Sequence, residues 1–145
     1  MPYELVVEKS VEISTSTDQV WRALTEPEMI AKWMADAQVE SKWKPGSDIT
    51  FTGTMPNFNL KYRDRGTVIT AEQGKILQYS HWSQMTRLPD TPENRTIFTF
   101  LLDRVDENKT RLTMRHENFS SETEYKHSNF FWGVALYMLK NLLEQ

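Results

Sequence analysis

The chain has 145 residues, enough for one domain with a sizeable core and short of what two would need. Hydrophobic residues make up 39% and charged residues 26%, an ordinary globular balance, and a net charge of −3 with scattered basic residues speaks against a nucleic-acid partner. There is no cysteine, which excludes a disulfide framework, thiol catalysis and a cysteine-based zinc site.

The N-terminus, MPYELVVEKS, lacks the apolar run of a secretory signal, so the expected location is the cytoplasm and the sequons at Asn94, Asn108 and Asn118 are chance matches. From Tyr3 to Ile13, Leu5, Val7, Val11 and Ile13 alternate with Val6, Glu8, Ser10 and Glu12, which predicts a strand with one wet face. Ser16 and Gln19 then have capping-box spacing, and Val20, Trp21, Ala23 and Leu24 supply the apolar side of a helix. Thr25 and Pro27 stop that helix and open a second, because proline is tolerated in a first turn but not in an interior. The stretch VWRALTEPEMIAKWM thus sets Trp21 and Trp33 either side of a bend, where the chain turns a corner towards the rest of the sheet.

A β-rich middle follows. Lys44-Pro45-Gly46-Ser47 is a turn signal, Ile49, Phe51 and Gly53 alternate with Asp48, Thr50 and Thr52, and Pro56-Asn57-Phe58-Asn59 breaks the next connection. Strands are expected over Tyr62–Ala71 and Lys75–Trp82 around the turn at Glu72-Gln73-Gly74. A hairpin pairs Thr96–Val105 with Thr110–His116, with Phe98, Phe100, Leu102, Leu112, Met114 and His116 on its apolar face. On the outer face, Arg63, Arg65, Arg111 and Arg115 read as solvated.

The chain closes with a long helix. Ser121 and Glu124 have capping-box spacing, and Phe131, Ala135, Met138 and Leu142 form its central stripe, flanked by Trp132, Leu136, Leu139 and Leu143. The apolar run from Phe130 to Leu139 is ten residues, too short to span a bilayer. One strand, two short helices, about six more strands and a terminal helix predict an α+β fold, with a curved antiparallel sheet wrapped around the long helix.

VWRALTEPEMIAKWM, WKPGSDITFTG with RGTVITAEQGKILQYSHW, and WGVALYMLKNLLEQ together resemble the helix-grip, START-like superfamily. Within it they are most similar to the group related to the C-terminal domain of the heat-shock protein 90 ATPase activator, and LPDTPEN resembles a loop of single-domain bacterial members. The resemblance covers nearly the whole chain. It implies a cavity between the long helix and the curved sheet, used in related families for lipids, sterols, plant hormones, flavonoid-like aromatics or polyketides, and in some for cyclisation or hydrolysis. The full chaperone activator has a further N-terminal domain for its partner, for which this length leaves no room.

The candidate ligand-binding residues are Trp33, Phe51, Tyr62, Asp64, Tyr79, His81, Trp82, Phe98, Phe100, Met114, His116, Phe131 and Met138, with Tyr125 as a further hydroxyl. Aromatic and apolar walls with a few convergent polar groups suit a small-molecule site, and a histidine can orient a carbonyl or phenol. Alternation alone leaves open whether His81 or Trp82 turns inward. His81, His116 and His127 lack metal-ligand spacing, and neither a nucleophile elbow nor a phosphate loop is present, so no metal, cofactor or catalytic residue is assigned. The leading expectation is a non-catalytic receptor or carrier for a small hydrophobic, aromatic or lipid-like molecule, without membrane insertion. The alternatives are an interaction module, as a chaperone accessory or a homodimer through the exposed sheet, and a cyclase- or hydrolase-type enzyme using His116.

Overall fold

The computed structural model describes residues 5–55 and 60–145. In chain order the elements are β1 (Val7–Ile13), α1 (Thr17–Thr25), α2 (Pro27–Trp33), β2 (Gln38–Ser41), β3 (Asp48–Met55), β4 (Leu60–Glu72), β5 (Ile76–Trp82), β6 (Thr96–Asp106), β7 (Lys109–Glu117) and α3 (Glu122–Leu143). Two 3₁₀ turns, Gln84–Thr86 and Pro92–Asn94, lie between β5 and β6. All strand pairs are antiparallel, in one sheet ordered β1-β7-β6-β5-β4-β3-β2. The expected α+β order is present. The short β2 was not singled out by the sequence, and the expected break at Pro56–Asn59 and the start of the first strand at Tyr3 lie outside the described residues.

Register explains which face is wet. Phe98 stands opposite His116, Phe100 opposite Met114 and Leu102 opposite Leu112, so the apolar sides of β6 and β7 coincide and are buried. On the outer face Glu12 meets Arg111 at 2.7 Å and Glu8 meets Arg115 at 3.5 Å across β1 and β7. Being exposed, these pairs favour solubility and register more than stability. Gly66 of β4 is required by close approach, since a Cβ there would stand 1.9 Å from the Ser80 carbonyl oxygen on β5.

The proline bend has a specific compensation. α1 ends with the Glu26 N–H bonded to the Arg22 carbonyl at 2.8 Å. The next carbonyl, that of Ala23, would take the amide hydrogen of residue 27, and Pro27 has none. The indole Nε1–H of Trp33 donates to it instead, at 2.8 Å and buried. Trp33 therefore folds α2 back on α1, and its ring meets Trp132 of α3 at 6.0 Å.

α3 is capped as expected: Ser121 Oγ accepts from the Glu124 N–H at 3.1 Å, and Glu124 Oε1 accepts from the Ser120 N–H at 2.8 Å. Its buried face is Ser128, Trp132, Ala135, Leu136 and Leu139, which corrects the expected central stripe by one position. Phe131 and Met138 are 41% and 48% exposed. Periodicity could not choose, because α3 is apolar on its outer side as well.

Trp33→Phe keeps the ring packing but strands the Ala23 carbonyl. The expected loss is about 1–3 kcal/mol of unfolding free energy, read from the urea midpoint, with helix content by circular dichroism unchanged.

Candidate functional site

Backbone contacts bring α3 against β1, α1 and α2 rather than against the central strands. Over the middle of the sheet the gap is bridged by side chains, chiefly Trp132, whose ring meets Phe98 at 5.4 Å and Phe100 at 5.7 Å. Beside this prop lies a cavity of about 860 Å3, inside the range of small-molecule sites.

Five adjacent strands line it with inward residues: Phe51 on β3, Tyr62 and Asp64 on β4, Tyr79 and His81 on β5, Phe98 on β6 and His116 on β7. Ser128, Phe131 and Trp132 of α3 form the facing wall, and Met34, Ala35 and Ala37 close one side. The rim is mostly polar and partly exposed, built from Ser83 and Thr86 with the apolar Met85 and Leu88 after β5, and from Ser120, Ser121, Thr123, Glu124 and His127 at the start of α3.

The polar groups fall into two clusters. In the first, Asp64 Oδ1 accepts from the Gln84 N–H at 3.0 Å and Oδ2 lies 3.2 Å from His81 Nε2. Gln84 in turn accepts from the Arg63 N–H at 2.8 Å, which fastens the 3₁₀ turn to β4. The His81 ring stands edge-on to Phe51 at 5.0 Å and to Phe98 at 5.6 Å. Tyr62 sits across Gly53, where a Cβ would come 2.6 Å from its hydroxyl oxygen, and burial followed by the Asp64 charge raises its phenol above the ordinary value. Burial likewise raises the Tyr79 phenol.

The second cluster centres on His116, which is 6% exposed. Its ring stacks on Phe98 at 3.7 Å, and its Nδ1 is hydrogen-bonded to Ser128 Oγ at 2.6 Å. Among the described residues Nε2 has no partner. Burial, then the nearby His81, pushes this imidazole from 6.5 down to about 3, so it is neutral at ordinary pH.

The thirteen candidates sort clearly. Phe51, Tyr62, Asp64, Tyr79, His81, Phe98, His116 and Phe131 line the cavity. Trp33 borders instead a narrow gap of about 10 Å3 with Trp43 and Phe100. Phe100 and Met114 are buried in the solid core, and Met138 points away from the hollow, half-exposed. Trp82 turns outward, donating to the Leu88 carbonyl at 3.0 Å beneath the Arg65 guanidinium, so His81 is the inward residue. Tyr125 packs on Phe119 rather than on the cavity. Sequence reasoning missed Ser128, although it lies one helical turn before Trp132. The rim residues carry no periodic signal by which to find them. On the outer surface Arg95 pairs with Asp90 at 2.7 Å, drawing that carboxyl below its ordinary value, and donates to Thr67 and Ser80 at 3.0 Å, which pins the loop after β5.

Among the described residues no cluster could hold a metal ion and no helix is long and apolar enough to cross a membrane. A bowed antiparallel sheet closed over a cavity by one long C-terminal helix is the helix-grip, START-like architecture. The chain belongs to the family described as Activator of Hsp90 ATPase homolog 1-like protein, whose pattern matches residues 14–144. A Cytophaga hutchinsonii protein solved in solution is 35% identical over 99% of this chain and 97% of its own, with a TM-score of 0.82. The Aha1 dimer of Colwellia psychrerythraea is 23% identical over 96% of both chains, with a TM-score of 0.73. CalU16 of Micromonospora echinospora is 17% identical over 95% of this chain and 81% of its own, with a TM-score of 0.69. No curated protein matches the chain.

A histidine held neutral by the fold leaves a signature in acid. Above pH 6.5 both states carry it uncharged; between 6.5 and about 3 the unfolded chain takes up a proton that the native site excludes. Stability therefore falls as pH falls through that window, by up to about 1.4 kcal/mol per pH unit from this residue. Urea titrations at pH 7.5, 5.5 and 4.5 are expected to show a steeper acid loss in the native chain than in His116→Gln.

Proposed function

We propose that this protein binds a small, largely apolar molecule in the cavity between the sheet and α3, as a receptor or carrier rather than through covalent chemistry. The observation that carries this reading is the 860 Å3 hollow itself, walled by Phe51, Tyr79, Phe98, Phe131 and Trp132 with a few polar groups set into it. Affinity would come mainly from apolar burial, at about 25 cal/mol per Å2 before the costs of association. His81, His116 and Tyr62 would orient one polar end.

A panel of flavonoids, fatty acids and sterols tests the reading. At least one class is expected to raise the Tm and to change tryptophan fluorescence through Trp132. Thr123→Trp, placed at the exposed rim, is expected to weaken that binding several-fold while leaving the melting temperature of the free protein unchanged. No response from any class removes the binding reading.

A second reading concerns the other side of α3. Phe130, Val134, Tyr137 and Met138 share its outer face, and Phe130 is 76% exposed. An exposed apolar stripe of this kind marks an interaction surface, and a second copy of the chain is the occupant we propose, in keeping with the dimeric Colwellia relative. A homodimer would then use this helix face and not the outer sheet, whose β1 and β7 surface is charged. Sedimentation equilibrium is expected to give a dimer that Phe130→Glu with Tyr137→Glu converts to a folded monomer. A native chain that stays monomeric at high concentration removes the dimer. Mixing with a heat-shock protein 90 ATPase tests the chaperone alternative, which unchanged turnover would eliminate.

A further inference from the structure

Asp64 on β4 and His81 on β5 stand side by side, and both line the cavity. Their side chains are 13% and 19% exposed. Both strands are interior to the sheet, so the exposure of these inward side chains is to the hollow. Asp64 Oδ1 accepts from the Gln84 N–H at 3.0 Å. Oδ2 lies 3.2 Å from His81 Nε2, longer than the roughly 2.7–2.9 Å of a charge-assisted bond, so the contact favours a ring hydrogen on Nε2 without saturating the carboxylate. Among the described residues His116 Nε2 is the buried side-chain polar atom both sealed from water and without a partner, and no atom of Asp64 or His81 shares that state. The pair is open to a guest where His116 is closed.

A count of hydrogens shows what the pair lacks. A carboxylate has about four acceptor positions and no hydrogen, and a neutral imidazole has one hydrogen and one lone pair. Gln84 fills one position on Asp64 and the His81 ring faces another, which leaves acceptors and no donor. The Tyr62 hydroxyl does not supply one: it lies over Gly53, and among the described residues it makes no hydrogen bond to either group. Charge narrows the guest further. Asp64 and Glu124 line the cavity, and no lysine or arginine does among the described residues. An anionic head would meet the Asp64 carboxylate without a counter-charge, and a carbonyl oxygen would set acceptor against acceptor. An ammonium would shed its water for one carboxylate already shared with Gln84 and His81, a costly exchange. A hydroxyl sheds far less and brings the missing hydrogen.

We infer that the cavity selects an uncharged, largely apolar molecule bearing a hydroxyl, and that this hydroxyl donates its hydrogen to the Asp64–His81 pair. This rests on the binding reading above and adds the chemistry of the ligand's head. The rim takes part through Gln84, whose N–H holds Asp64 Oδ1 and leaves Oδ2 to the His81 side. Phe51 and Phe98, which flank the His81 ring edge-on at 5.0 and 5.6 Å, supply the apolar surface beside that head.

Five naphthalenes with one ring system separate the possibilities: 2-naphthol, 2-methylnaphthalene, 2-methoxynaphthalene, 2-naphthoate and 2-(aminomethyl)naphthalene. Dissociation constants by fluorescence titration at pH 7 are expected to favour the naphthol over the hydrocarbon and over the ether by about tenfold, the worth of one hydrogen bond to a charged group. The ether is the sharper control, because it keeps the oxygen and loses only the hydrogen. The carboxylate and the ammonium are expected to bind more weakly than the naphthol. Asp64→Asn exchanges an acceptor for a donor while its amide oxygen still serves the Gln84 N–H. In that variant the gap between naphthol and ether should close to within about threefold, with the hydrocarbon's affinity within twofold of native. Equal binding of naphthol and ether by the native protein, tighter binding of either charged compound, or a preference that survives in Asp64→Asn overturns the proposal. Failure of all five compounds to bind overturns instead the cavity reading beneath it.

Discussion

Trp132 holds α3 away from the middle of the sheet. Helix and sheet would ordinarily close to van der Waals contact, since burial of their facing apolar sides favours it. Here the indole stands between them, touching Phe98 and Phe100 on β6 and Trp33 on α2. Beyond Trp132 towards the Leu139 end the interior is packed solid, with Leu112, Met114 and Leu139 fully buried. On the Ser128 side the same separation is left unfilled. One side chain thus divides core from cavity, and a stable domain can carry a hollow because the two are kept apart.

The polar groups of the hollow are arranged by secondary structure that has its own reasons to form. His116 faces inward because β7 alternates and because its register against β6 sets it over Phe98. Ser128 faces inward because it precedes Trp132 by one helical turn. Asp64 is held by the backbone of the 3₁₀ turn, so the rim and the deep carboxylate are mechanically one unit. None of these contacts depends on an occupant, and the site is therefore formed in advance, which lowers the ordering cost of binding.

Much of this was legible in the residues. Strand alternation put Phe98, Phe100, Leu102, Leu112, Met114 and His116 on one face, the serines at 16 and 121 announced their helices, and Pro27 announced the bend. Depth was not legible: Phe98 and Phe100 share one face two residues apart, and whether each meets air or packing depends on where Trp132 stands. The helix phase failed for a related reason, because α3 is apolar on both sides and a period of 3.6 cannot rank two hydrophobic faces. His81 and Trp82 were separated only by what each could pair with, Asp64 inside and the Leu88 carbonyl outside. The rim is made of turns and helix ends, whose positions follow from the fold and not from any pattern in their own residues.

The joint between α1 and α2 carries one more implication. Its missing amide hydrogen is supplied from ten positions along the chain by a ring of fixed length. The reach of that ring therefore acts as a spacer, setting how far α2 lies from α1 and, through Met34, Ala35 and Ala37, where one lip of the hollow comes to rest. Exchanging the indole for a shorter donor would draw that lip inward, so the aperture can be retuned from a position outside the chamber without touching a residue inside it.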